Sequence, residues 1–173
     1  MDNLIVREAK MRDVENIAKI HVETWQCAYR GQLPDSFLDG LSVKKRQESW
    51  MKNLSNPLPK TKVFVGEVDN KIVGFCAIGA SRDDDADETV GELFAIYIDA
   101  RCMNKGFGSA LMQKGFEYLK ESGFKKVTLW VLTSNKKTRE FYEHKGWSAD
   151  GKTKTDQRES FALYETRYTI DLG

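Results

Sequence analysis

The sequence predicts a three-layer domain of the α+β or α/β class, in which helices pack on a mixed β-sheet. Segments with the apolar composition of strands alternate along the chain with segments in which apolar residues recur at helical spacing. The run at 93–98 is almost continuously apolar, which indicates a strand at the centre of the sheet. A helical segment connects it to another strand at 127–132, and a right-handed crossover would make these two strands parallel neighbours.

The first elements are a strand and two helices. A strand at 4–7 precedes a helix that starts at Asp13. Gly31 and Pro34 end this helical region, and a second helix follows at about 42–54.

A β-hairpin and a loop are predicted next. The turn-forming triplet DNK at 69–71 lies between two strand-like segments at 62–68 and 72–78, which is typical of a hairpin. The acidic stretch at 83–88 cannot bury itself and is predicted to be a solvated loop.

The second half of the chain repeats the alternation of strands and helices. Its predicted elements are a strand at 90–98, a helix of about 17 residues from Lys105, a strand at 126–132, a helix at 135–145 stopped by Gly146, and strands around 148–151 and 161–170. No repeat, linker or low-complexity segment divides the chain, so we expect one domain spanning residues 1–173.

Composition argues against several classes of protein. The 27 Lys and Arg residues nearly balance the 26 Asp and Glu residues, so we expect no nucleic acid and no anionic membrane as a partner, and a small molecule instead. Three widely spaced cysteines and two distant histidines predict neither a disulfide framework nor a metal site. No run approaches the roughly 18 apolar residues of a membrane span, and no leader precedes the first strand, so a cytoplasmic location is expected.

A glycine-containing loop, MNKGFGS at 103–109, leads from the central strand into the next helix. Gly106 and Gly108 lack Cβ atoms and allow close approach to the backbone, while the free N–H groups of a helix start attract anions. Lys105 adds positive charge. A phosphate site and a tight turn without a ligand both remain open on this evidence. Leu111, in place of the small third residue, argues against dinucleotide binding.

Two linked segments resemble the GNAT superfamily of acyl-CoA N-acyltransferases. The family's pattern is a strand, then Arg or Gln followed by x-x-Gly-x-Gly or Ala, then a helix, and it corresponds to MNKGFG at 103–108. A second family segment corresponds to LWV at 129–131, Asn135 and FYEHKGW at 141–147. Met103 replaces the usual Arg or Gln, and Asn104 stands where glycine is frequent.

The resemblance implies a mostly antiparallel central sheet of about seven strands flanked by about four helices, with acetyl-CoA as the cofactor. The pantetheine arm would lie between the strands at 90–98 and 126–132, and the pyrophosphate would lie on the glycine loop. The cofactor-binding residues implied are Ile96, Tyr97, Ile98, Met103, Asn104, Lys105, Gly106, Phe107, Gly108, Ser109, Asn135 and Tyr142.

The implied reaction is direct attack of a neutral amine on the acetyl thioester, for which Glu92 is the candidate general base. An alkylamine is only about one part in 10³ neutral at pH 7, so a proton acceptor helps substantially. Strand alternation predicts that Glu92 shares a face with Phe94 and Ile96. A solvated position at the strand edge, or substrate binding without proton transfer, are the open alternatives.

Tyr142 matches the family's general acid, which protonates the leaving thiolate. Because Phe141 and Tyr142 are adjacent on a helix, they cannot point the same way, and a core position for Tyr142 is the alternative. Cys102 has no histidine placed by the sequence to activate it, which disfavours a covalent route.

The acceptor is expected between the first helices and the start of the central strand, where Trp25, Tyr29 and Glu92 are the candidate binding residues. A helix-face core position is the alternative for Trp25. A small-molecule primary amine is the first hypothesis, and a peptide amine or a non-catalytic acyl-CoA sensor are the alternatives. The sequence leaves a homodimer open.

Overall fold

The computed structural model describes residues 3–173; Met1 and Asp2, which the predicted domain includes, lie outside the described residues. In chain order the elements are β1 (Ile5–Glu8), α1 (Val14–Ala28), α2 (Asp35–Asp39), α3 (Val43–Ser55), β2 (Lys62–Val68), β3 (Lys71–Ala80), β4 (Val90–Ile98), α4 (Phe107–Glu121), β5 (Lys126–Leu132), α5 (Lys136–His144), β6 (Ser148–Gln157) and β7 (Ala162–Asp171). No helix within residues 3–173 combines the length and the apolar character that crossing a bilayer requires.

Local sequence signals account for several element boundaries. The Ser42 hydroxyl accepts a hydrogen bond from the Lys45 backbone N–H at 3.2 Å and caps the start of α3. Asp69 and Asn70 have φ values of 49° and 63°, a left-handed conformation that suits a two-residue hairpin turn between β2 and β3. The predicted hairpin is therefore confirmed.

The described residues contain five α-helices instead of about four. The additional helix is α2, which spans only five residues. A segment this short has no room for a helical repeat of apolar residues, so its sequence shows only the Gly31 and Pro34 breaks beside it.

All seven strands form one sheet, in the order β1-β2-β3-β4-β5-β7-β6. The β4–β5 pair is parallel, as the crossover predicts, and the other neighbours in this sheet are antiparallel. The expected mixed, mostly antiparallel sheet of seven strands is confirmed.

Helices cover both faces of the sheet and form two main cores. On one face, α4 packs through Leu111 and Leu119 against residues such as Cys76 and Ile78 of β3. On the other face, α1 and α3 pack against Val65, Phe75 and Ala77. Side chains on the two faces of β4 therefore pack against different helices.

A β-bulge in β4 changes which of its residues share a face. Ala77 pairs with Ala95, but the next residue, Ile78, pairs with Leu93, so Phe94 is an extra residue on β4. Phe94 packs with the α1 and α3 core, whereas Ile96 packs with the α4 core. The expectation that Glu92 and Ile96 share a face is therefore wrong, because alternation is interrupted at the bulge.

Candidate active site

The parallel strands β4 and β5 separate after a short paired stretch. Their ladder consists of three pairs, Val90 with Lys126, Gly91 with Val127, and Glu92 with Thr128. Both strands continue beyond it, to Ile98 and Leu132. Along 93–98 the side of β4 that faces β5 makes no ladder, which leaves an opening in the sheet with backbone groups along one wall.

The loop after β4 carries the glycine motif into α4. Asn104 has φ 62° and Gly106 has φ 80°, so both lie in the left-handed region. Glycine adopts this conformation without penalty, and Asn is one of the few other residues that tolerate it well. Asn104, in a place where glycine is frequent, therefore meets the same backbone requirement.

The start of α4 is built to accept an anion. Gly106 is the N-cap residue, and no side chain caps the first turn. A Cβ atom added at Gly106 would meet no atom within 4 Å, so the outer side of the loop is open to a ligand there, whereas one at Gly108 would make van der Waals contact with Ile98 Cγ1 at 3.8 Å. Uncapped N–H groups, the positive end of the helix and the adjacent Lys105 fit the diphosphate of a coenzyme.

Tyr142 lies in α5 with a buried ring. It is 8% exposed, whereas Phe141 is 38% exposed, so the two neighbours do point in different directions, as the helical geometry predicts. Its ring packs against Trp147 at 5.8 Å between centroids. Burial is the main cause that raises the pKa of Tyr142, and Tyr97 and Cys76 add to the effect. The phenol therefore keeps its proton at neutral pH and remains a donor.

Glu92 is almost completely buried and is held by Arg82. The side chain is 2% exposed. Arg82 Nη2 donates to Glu92 Oε2 at 2.7 Å, and the Arg82 backbone N–H donates to Oε1 at 3.0 Å. The solvated strand edge considered for Glu92 is therefore wrong, because Arg82 and the strands beside β4 cover it. Arg82 itself extends over the ring of Phe94, 4.5 Å from its centroid.

Trp25 and Tyr29 belong to an aromatic group at the end of α1. Trp25 Nε1 donates to the Tyr97 hydroxyl at 3.0 Å, and the Trp25 and Tyr29 rings lie 4.9 Å apart. Phe37 and Phe161 extend the group toward the start of β7, with their rings 4.8 Å apart. These half-buried rings lie on the α1 face of the sheet, together with the side chain of Tyr97.

Asn135 occupies the N-cap position of α5. Its side-chain oxygen accepts from the Thr138 backbone N–H at 3.4 Å, and the residue is buried. This capping hydrogen bond is a structural reason for an asparagine at the start of α5. A contact with the pantetheine arm stays a prediction.

Part of the acidic loop is docked on the sheet instead of being solvated. Arg167 of β7 binds Asp83 at 3.2 Å, Asp85 at 2.7 Å and Asp150 at 2.7 Å. Asp83 also accepts from Trp130 Nε1 at 2.9 Å. The loop that carries Arg82 is therefore fixed by a buried cation, and only its remaining residues are free to be solvated.

Sequence reasoning missed three charged residues here. Arg82, Glu165 and Arg167 all lie on the α1 side of the sheet, and none was considered as a site residue. The alternation of Leu163, Glu165 and Arg167 along a strand with a buried face was an available signal, because charged residues on such a face need a partner or a role.

A cavity of about 530 Å³ lies between the first helices and the start of β4. It is lined mainly by the end of α3, the segment after it and the neighbouring strands, with Arg82 and Phe94 on one side. Trp25 and Tyr29 do not line it. The aromatic group and this cavity are therefore two separate features of the same face.

Comparisons with known proteins agree with this geometry. The profile of the acetyltransferase (GNAT) family matches residues 16–147. An uncharacterized N-acetyltransferase of Bacillus subtilis, YuaI, is 35% identical over 131 residues, which are 75% of this chain and 72% of that protein. The L-amino acid N-acetyltransferase AaaT of Escherichia coli is 25% identical over 153 residues, 87% of this chain and 86% of that protein.

Among solved structures, the PaiA N-acetyltransferase of Thermoplasma acidophilum in complex with coenzyme A has a TM-score of 0.77 at 17% identity, covering 98% of this chain and 99% of that one. The chain therefore belongs to the GNAT family of acetyltransferases. It is an acyltransferase, and acetyl-CoA is its cofactor. The alternative of a non-catalytic sensor is not supported.

Proposed function

We propose that this protein transfers an acetyl group from acetyl-CoA to the primary amine of a small molecule. One observation carries the proposal: β4 and β5 separate beside the uncapped start of α4, and a protonated tyrosine lies buried near the same opening. The 25% identity to an L-amino acid N-acetyltransferase over most of both chains supports a small acceptor.

Residues 103–109 would hold the pyrophosphate through backbone N–H groups, and residues 96–98 would pair with the pantetheine arm. Bound acetyl-CoA supplies an activated acetyl thioester, whose carbon bonds to the amine nitrogen as the C–S bond breaks. Met103 is 51% exposed, and it replaces a charged or amide side chain without altering the backbone donors of the loop.

Two proton movements are needed, and one residue is proposed for each. The Tyr142 hydroxyl donates to the departing sulfur, because its pKa is raised and a proton is present at neutral pH. Glu92 receives the proton of the amine through a water molecule. Arg82 donates hydrogen bonds to both carboxylate oxygens of Glu92. Its exposed guanidinium therefore has to move aside before Glu92 can accept a proton.

The three cysteines of the chain are free thiols, which supports a reducing compartment such as the cytoplasm.

Release of free thiol from acetyl-CoA tests the proposal. The purified protein is assayed with a panel of primary amines and, separately, with short peptides that have free N-termini, and mass spectrometry identifies the acetylated product. We expect turnover with at least one small amine and much weaker turnover with peptides. Efficient acetylation of the peptides alone would reject the small-molecule assignment.

A further inference from the structure

Glu165 lies in the middle of β7, on the face that α1 and α2 cover. Its neighbours along the strand on that face are Leu163, which packs with Leu33 and Leu38, and Arg167, which binds the acidic loop. Glu165 pairs across the sheet with Leu132, at the end of β5. The residue therefore lies beside the part of β5 that has already separated from β4.

The carboxylate of Glu165 is half-buried and has no hydrogen bond or ion pair with any of residues 3–173. Nearby cations, which include Lys154 and Arg82, influence it without coming within ion-pair distance. Lys154 instead lies over the Trp130 ring, and Arg82 binds Glu92. Removing a carboxylate from water without a partner is costly, so a half-buried, unpaired carboxylate at this position indicates a functional role for Glu165.

Glu165 lies beside the aromatic group at the end of α1, because its cross-strand partner Leu132 and its strand neighbour Leu163 pack in the same cluster as those rings. Burial, the main cause, raises the pKa of Tyr29, and Tyr97, Tyr142 and Glu165 each raise it further. Glu165 also contributes to the raised pKa of Tyr97, of which burial is again the main cause. Tyr29 therefore lies within electrostatic range of Glu165, of Tyr97 and of the proposed acid Tyr142.

The cluster that contains Leu163 and Leu132, the neighbours of Glu165, is rich in aromatic rings. Trp25 packs edge-on against Tyr29 and at 6.5 Å from Phe37, and Phe37 packs on Phe161. A carboxylate beside several aromatic faces is an arrangement that binds an organic cation, since the rings attract its positive charge and cover its apolar body. The 530 Å³ cavity is also lined by aromatic rings, Trp50 and Phe94, but its carboxylate, Glu8, is already paired with Lys62 at 2.7 Å.

We propose that Glu165 binds the ammonium group of the acceptor, and that the acceptor is an aralkyl primary amine whose apolar body packs against Trp25, Phe37 and Phe161. This inference rests on the proposed function and assigns Glu165 a different role from Glu92. Glu165 holds the ammonium group at the opening, Glu92 takes one proton from it through a water molecule, and the neutral amine that results attacks the thioester.

Two probes of nearly equal shape separate charge recognition from shape recognition. 2-Phenylethylamine carries the ammonium group, and 2-phenylethanol replaces it with a neutral hydroxyl. Their affinities for the wild-type protein, Glu165→Gln and Glu165→Asp are measured by calorimetry with coenzyme A present. Asp171→Asn, which removes an exposed carboxylate from the same strand, is the matched control.

We expect wild-type protein and Asp171→Asn to bind the amine at least about tenfold more tightly than the alcohol. Glu165→Gln should lose that preference while its affinity for coenzyme A is unchanged, and Glu165→Asp should recover part of it. In thiol-release assays Glu165→Gln should raise KM for the amine far more than it lowers kcat.

Three results would overturn the inference: wild-type protein that does not prefer the amine, a preference that survives in Glu165→Gln, or a Glu165→Gln variant that fails to fold. The last result would mean that the carboxylate serves the fold, whereas an unpaired group should be dispensable for it. A failure of the proposed function is distinct, because wild-type protein would then release no thiol with any small amine although it binds the probes.

Discussion

Tyr142 is the proposed proton donor, and burial of its ring raises its pKa further above neutral pH by making the phenolate form costly. Tyr142→Phe keeps the ring and removes the hydroxyl, so we expect kcat to fall by about tenfold or more, with little change in coenzyme A affinity. Steady-state thiol release measures the effect. Tyr164→Phe, at an exposed tyrosine, is the control. Full activity of Tyr142→Phe would move the proton donor elsewhere.

The proposed role of Glu92 makes a prediction about pH. Glu92→Gln should lower kcat by about tenfold or more at pH 7 and spare cofactor affinity. The deficit should shrink as the pH rises, because a larger fraction of the amine is then neutral and needs no base. Rates are compared with those of Glu88→Gln, a control in the acidic loop. A deficit that is the same at every pH would argue against proton transfer to Glu92.

The buried side chain of His21 makes the stability of the fold depend on pH. Burial lowers its pKa to about 3 from an ordinary value near 6.5, and its Nδ1 accepts from Trp50 Nε1 at 3.1 Å. The unfolded chain takes up a proton between these values and the folded chain does not. This contribution to stability is therefore complete above pH 6.5 and is lost as the pH falls toward 3.

We therefore expect His21→Gln, which keeps an acceptor for Trp50, to lose stability less steeply than wild type between pH 6 and 4. The slopes should differ by up to about 1.4 kcal/mol per pH unit. Urea unfolding at several pH values measures them, and His144→Gln, on an exposed histidine, should behave as wild type. Equal slopes for His21→Gln and wild type would mean that His21 is protonated in the fold.

At the scale of elements, a substitution at Gly108 tests whether the glycine loop holds the diphosphate. The nearest atoms to a Cβ at Gly108 are Ile98 Cγ1 at 3.8 Å and Phe141 Cζ at 4.0 Å, so the Cβ of Gly108→Val makes only ordinary van der Waals contacts. We expect it to fold and to lose coenzyme A affinity by about tenfold or more, because the side chain enters the space for the diphosphate.

Calorimetric titration with coenzyme A measures this loss. Gly115→Ala is the control within the same helix, since a Cβ there would lie 3.3 Å from Ile78 Cδ1, against the sheet and away from the loop. It should bind coenzyme A as wild type does. Retained affinity in Gly108→Val would be incompatible with a diphosphate on this loop.

Elements with strong local signals could be predicted from the sequence, whereas features that depend on the pairing of neighbouring strands could not. The hairpin follows from its turn residues, and α3 from Ser42 and the apolar residues after it. The bulge at Phe94 leaves no mark on the sequence, because it depends on the register between β3 and β4. One extra residue then reverses the face of Ile96, which alternation alone cannot foresee.

Contacts between distant parts of the chain account for the other features that the sequence did not predict. Arg82 lies 10 residues from Glu92, and Arg167 lies 82 residues from Asp85, so neither pair has a local pattern. The family motifs led to the proposed cofactor side of the site, where backbone groups are the proposed ligands. The proposed acceptor side depends on side chains brought together from α1, β4 and β7, of which the sequence indicated only Trp25, Tyr29 and Glu92.

At the scale of the whole molecule, the opening between β4 and β5 joins the two faces of the sheet. The cofactor loop begins α4 on one side, and the aromatic group with Glu165 lies on the other. In the proposed function both ligands are present together, and the acetyl group passes directly between them without binding to Cys102 or any other residue.

Initial-velocity kinetics test this direct transfer most directly. Thiol release is measured while acetyl-CoA and an accepted amine are varied together. Direct transfer in a complex of both ligands predicts double-reciprocal lines that intersect. Parallel lines, which arise when the enzyme itself carries the acetyl group between two separate half-reactions, would contradict the account.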